Sequence, residues 1–155
     1  MSFIANPKAR TTEADTISND GFWPDISLLH AREVMRLDGK VTDGRLRHAL
    51  ITAIVEVDRD LSGWRASRQA QGIERLEDVT GRMIDGKPMP LHCYLRAVYS
   101  LAKADLIERM ADFDLAKGGE TTVSALQDSP DEHRRDASWA ITALLGQTRV
   151  TVELI

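Results

Sequence analysis

The sequence has one cysteine, Cys93, in 155 residues. A lone thiol excludes an internal disulfide framework and suits a reducing compartment. Aromatic residues make up only 5%, few to interleave with cations as a stacking surface for nucleic acid. Positive charge is not in excess: 20 basic residues stand against 24 acidic ones, for a net charge of −4. No global basic field for nucleic acid follows from that balance. No apolar run approaches the length of a membrane span. The stretch from Met1 to Lys8 has no apolar core of signal-peptide length. The chain is therefore expected to fold in the cytoplasm. A Gly-rich phosphate loop and a G-x-S-x-G elbow are both absent.

Hydrophobic residues make up 43%, and 155 residues suffice for one domain with a real core. Residues 1–21 are polar and read as a flexible N-terminal arm. Phe22-Trp23-Pro24-Asp25 is expected to open a first helix, with proline in its first turn and Asp25 at the positive end of its dipole. That helix runs to about Leu37. Thr42 is the expected N-cap of a second helix, whose apolar residues recur at Leu46, Leu50, Ile54, Val57, Leu61 and Trp64. Ile51 and Val55 broaden that face. The pattern continues to Gln71, giving a spine about 40 Å long at 1.5 Å per residue, with Gly72 as its stop.

Residues 73–80 read as a short strand or an irregular crossing, and Asp85-Gly86-Lys87-Pro88 as a turn. A third helix follows Pro90, with Leu91, Leu95, Val98, Ala102, Leu106, Met110 and Phe113 on one face. Lys117-Gly118-Gly119 ends it. Ser129 and Pro130 open a fourth helix, with Asp131 and Glu132 in its first turn and Gly146 as its stop. Ala137, Ala140, Ile141, Leu144 and Leu145 form its buried face. These elements predict an all-α, four-helix-bundle-like domain over 22–146.

Residues 147–155 break the pattern. Val150, Val152 and Leu154 share one side of a β-branched segment, with Thr151, Glu153 and Ile155 on the other. Few strands upstream offer a partner. An unpaired strand presents open N–H and C=O groups that recruit another chain. Arg149, Val150, Val152, Leu154 and Ile155 are therefore the expected partner-docking residues.

Catalytic constellations are not found. His30, His48, His92 and His133 lie on separate segments with no ligand-spaced partner, so no metal is expected. Asp58 to Gly63 begins like a calcium loop, but its twelfth position is Gln69 where a bidentate Glu is needed. Asp105, Glu108, Asp112 and Asp114 form a carboxylate-rich stretch that reads as a solvated face. No enzyme and no cofactor are expected.

Most basic residues are arginine, and they cluster. Arginine pairs with carboxylates bidentately and is enriched at interfaces. Arg45, Arg59, Arg65, Arg68, Arg134 and Arg135 are the inter-subunit candidates.

Several segments in order resemble the head completion, or head stabilisation, proteins of contractile-tailed bacteriophages. They are Phe22-Trp23-Pro24-Asp25, then Arg36 through Thr42, and Arg45-Leu46-Arg47-His48-Ala49-Leu50 onward to Trp64-Arg65. Tyr94-Leu95-Arg96-Ala97-Val98-Tyr99 through Asp112-Phe113-Asp114 follows, then Asp136 through Ile141 and Leu145-Gly146 to Ile155. The likeness covers about residue 20 to the end.

The resemblance implies a structural role with no catalytic or cofactor residues. It implies an adaptor ring, usually of twelve copies, formed beneath the portal after DNA packaging. Such a ring retains the DNA and offers a surface to the tail. The implied partners are the portal protein, further copies of the chain, a tail-side connector protein and the DNA passing through the channel, with no membrane. Assembly in the host cytoplasm would place the protein in the virion. The alternative is a helical nucleic-acid-binding packaging or regulatory protein, against which the acidic net charge argues.

Overall fold

The structure, a computed structural model, describes residues 15–116 and 129–148. It is mostly helical, with four very short strands. Strand β1 (Thr16–Ile17) pairs antiparallel with β2 (Ile26–Ser27). Helices α1 (Leu28–Met35), α2 (Asp43–Asp60) and α3 (Ser62–Ala70) follow. A 3-10 turn at Leu76–Asp78 leads to a hairpin of β3 (Met83–Ile84) and β4 (Lys87–Pro88). Helix α4 (Met89–Ala116) and helix α5 (Pro130–Leu144) complete the order. Helix α4 is the hub, packed against α1, α2 and α5.

The core follows the helical spacing. Leu46, Leu50, Ile54 and Val57 of α2 are buried with Leu91, Tyr94, Val98, Ala102 and Leu106 of α4 and with Ala137, Ala140 and Leu144 of α5. Helix α2 also buries Ala49 and Ala53. Ile51 and Val55, expected to broaden the face, are instead 44% and 65% exposed. They fall on the side of α2 that α4 does not cover.

Four expected boundaries shift for local physical reasons. Residues 15–21, assigned by sequence to a flexible arm, carry β1, the buried Ile17 and a hydrogen-bonded turn. In that turn the Asp20 carboxylate accepts from the N–H groups of Phe22 and Trp23, while the Asn19 N–H donates to Asp25. Side-chain bonds of this kind compete with helix formation. The first helix therefore begins at Leu28, capped by the Ser27 hydroxyl accepting from the His30 N–H.

The expected single spine is two helices. Leu61 leaves helical geometry, and the Ser62 hydroxyl donates to the Arg59 carbonyl at 2.8 Å, where α2 ends and α3 begins. Of the two readings of residues 73–80, the irregular crossing holds: it carries a 3-10 turn, anchored by the Leu76 N–H donating to the Phe22 carbonyl at 2.9 Å. At α5, Ser129 is extended before the helix, but its hydroxyl makes no cap bond. Thr42 does cap α2, accepting from the Arg45 N–H. Asp85 and Gly86 both have positive φ, as a two-residue Asp-Gly hairpin turn requires.

Three helix ends share one backbone arrangement. After α3, the N–H of Ile73 donates to the Arg68 carbonyl and that of Gly72 to the Gln69 carbonyl. After α5, Gln147 donates to Thr142 and Gly146 to Ala143 in the same way. After α1, Leu37 donates to Arg32 and Arg36 to Glu33. The residue at the pivot is left-handed in all three, with φ of 83° at Gly72, 70° at Gly146 and 53° at Arg36. Glycine adopts that conformation freely. A residue with a Cβ pays roughly 1–2 kcal/mol for it.

Candidate interaction surfaces

Among the described residues, no three His, Cys, Asp or Glu side chains gather so as to hold a metal ion. Two carboxylates late in α4, Asp105 and Glu108, are paired with cations. Asp105 accepts from Arg109 one turn on, at 2.9 Å. Glu108 accepts from Arg134 of α5, and that bond holds its carboxyl below the usual range. The first is a tie within α4 and the second joins α4 to α5.

The inter-subunit candidates fall into two groups. Arg65, Arg68, Arg134 and Arg135 meet carboxylates or aromatic rings of the same chain. Arg65 pairs with Asp20 and lies 5.2 Å above the Phe22 ring. Arg68 sits 5.1 Å above Trp64 and Arg135 4.8 Å above Trp139. Arg134 reaches both Glu108 and Asp131. Arg59 is exposed beside Asp60. Arg45 is exposed at the rim of a groove of about 590 Å³ between α2 and α4, shared with His48, Leu106 and Arg109. The docking residues Arg149, Val150, Val152, Leu154 and Ile155 lie outside the described residues.

Under the Arg65 and Arg68 braces is an aromatic stack. Trp23 is 2% exposed. It lies between Tyr94, with centroids 4.6 Å apart, and Trp64, at 6.3 Å. Phe22 meets Trp23 edge-on at 4.8 Å. The Tyr94 hydroxyl donates to Asp58 at 2.9 Å and accepts from the Asn19 amide at 3.1 Å. Burial, assisted by the charge of Asp20, pushes the Asp58 carboxyl up to about 6, against the Tyr94 bond and Arg65. Burial would raise Asp20 as well, but its bonds to Arg65, Phe22 and Trp23 bring it below the ordinary value. This network fixes the N-terminal lead-in onto α2, α3 and α4.

Among the described residues, three apolar features remain outside the core. Leu29 and Val34 on α1 are 65% and 55% exposed, and Ile51 and Val55 lie one turn apart on α2. Met83 and Ile84 are exposed on β3.

A second groove, of about 450 Å³, runs between α1, α4 and α5. It gathers His30, His92 and His133 with Arg36, Arg96 and Lys103. Sequence reading missed this convergence because the residues are scattered over three helices. Only the packing of α1 and α5 on α4 unites them. The one signal available in the sequence was an arginine at the helix-ending position where glycine is the usual choice.

Residues 17–155 match the family described as phage head completion protein (GPL). The chain is 35% identical over 139 residues to the "Head completion/stabilization protein" of Escherichia phage P2, spanning 90% of this chain and 82% of that protein. It is 25% identical over 153 residues to the "Probable head completion/stabilization protein" of Haemophilus phage HP1, spanning 97% and 99% of the two chains. No solved structure matches.

Proposed function

The chain belongs to the phage head completion protein family, and on that premise we propose that it is the subunit of an oligomeric adaptor ring beneath the portal. The family is one of structural head proteins rather than enzymes, and membership makes the chain a virion component. In the proposed role the helical domain forms the ring wall. The ring closes the filled head after DNA packaging, helps retain the DNA and gives the tail-side connector a surface to meet. Residues 149–155 dock on a neighbouring subunit or the portal by adding backbone to its edge.

The observation that carries this reading is the exposed pair Ile51 and Val55 on α2. Two branched aliphatic side chains one turn apart, flanked by Arg59 and Asp60 on the same helix, fit a contact with a second copy. A contact between two different faces of the same chain closes into a ring when the rotation allows. Deleting residues 149–155 tests the docking element. The shortened chain is expected to stay helical and to leave heads incomplete. Normal infectious particles assembled with the deletion would contradict the proposal.

A further inference from the structure

We propose that the groove between α1, α4 and α5 binds the phosphate backbone of a nucleic acid, with Arg36 as its leading contact. The inference does not depend on the ring. It rests on the contents of the groove and on the backbone at Arg36.

The chain is acidic overall, at −4, yet this groove concentrates the opposite sign. Among the described residues that line it, Arg36, Arg96 and Lys103 stand beside one carboxylate, Asp136. That carboxylate meets Arg96 at 3.5 Å, a long contact that leaves the guanidinium half exposed. Three imidazoles also line it. His30 is held 2.8 Å from the Tyr99 hydroxyl, and His92 donates from Nε2 to the Ile84 carbonyl at 2.8 Å.

Arg36 supplies an independent observation. The same backbone arrangement ends α3 and α5 with glycine and α1 with arginine. Strained backbone held at a surface groove points to a use for the side chain. Here the side chain is a permanent cation whose planar fork matches phosphate oxygens.

The shape favours a sugar–phosphate chain. At about 450 Å³ the groove is larger than one inorganic phosphate needs. Its walls are helices, so an extended acidic peptide finds no strand edge to pair with. A nucleic-acid backbone needs only charge and donors, and the exposed ring of His30 offers a face to a base.

The test is fluorescence anisotropy of a labelled short single-stranded DNA with the full chain, across a salt series. Parallel measurements use polyglutamate and inorganic phosphate. DNA is expected to bind with a steep salt dependence. Arg36→Gly is expected to weaken binding about tenfold and to flatten the slope by about 0.7, the loss of one phosphate contact on a single strand. Arg36→Gly also fits the left-handed backbone, so thermal melting should find it at least as stable as the parent. Arg96→Gln should weaken binding similarly, while Arg75→Gln, on the exposed loop before the 3-10 turn, should not. Unchanged binding by Arg36→Gly, or an equal loss in Arg75→Gln, would overturn the proposal. So would polyglutamate binding tighter than DNA, or inorganic phosphate alone binding as tightly as the DNA.

Discussion

Trp23 lies flat against Tyr94, with ring planes 6° apart and centroids at 4.6 Å. This stack joins the N-terminal lead-in to the hub helix α4. The hydroxyl of the same tyrosine binds Asp58 on α2 and Asn19 on the lead-in. One residue thus ties three parts of the chain.

Trp23→Ala should remove one of the largest buried side chains. The expected loss is about 3–5 kcal/mol, enough to unfold a marginal domain. Urea denaturation followed by circular dichroism reads it directly. A loss under about 1 kcal/mol would contradict the role of Trp23 as a principal buried side chain of the core.

Asp58 and Asp20 should act on stability in opposite directions with pH. Asp58 has a folded pKa near 6, above its unfolded value of 3.8. Between those values the folded state binds the extra proton, so this contribution is present at low pH and lost as pH rises to 6. Asp20 is shifted down, so its contribution is present above 3.8 and lost as pH falls. Asp58→Asn should therefore be more stable than the parent at pH 7, with the gap closing toward pH 4. Denaturation midpoints across that range check the trend. A gap that widens on acidification would contradict the assignment.

The two helix starts should respond differently to loss of a hydroxyl. Thr42→Ala removes an acceptor used by the Arg45 N–H and should cost about 1 kcal/mol. Ser129→Ala removes a hydroxyl that makes no cap bond and should change stability by under about 0.5 kcal/mol. Equal effects in thermal melts would show that the caps are not distinguished in this way.

Val55→Glu separates folding from assembly. The side chain is 65% exposed, so stability should change by under about 0.5 kcal/mol. A charge at the centre of an apolar contact should nevertheless block association. Co-purification with the portal, beside a melting curve, measures both. Retained association with full stability would remove Val55 from the interface.

Much of the fold was legible because it rests on local rules. The Thr42 cap, the spacing from Leu46 to Leu61, the α4 face and the Gly72 and Gly146 stops are each written within a few residues. The failures have non-local or competing causes. The helix expected at Phe22 is displaced by Asp20, whose side chain binds the backbone that would have started it. The spine breaks at Leu61 where Ser62 takes the Arg59 carbonyl. Periodicity could not tell that α4 covers Ala49 and Ala53 and leaves Ile51 and Val55 open. The histidine and arginine groove depends wholly on tertiary packing, so residue spacing concealed it.

The central claim, a ring of this chain on the portal, is tested most directly by native mass measurement of the purified portal–adaptor complex. The account predicts one closed ring with a fixed copy number, twelve by the family resemblance. A variable, sub-stoichiometric and non-cyclic number of copies would contradict it.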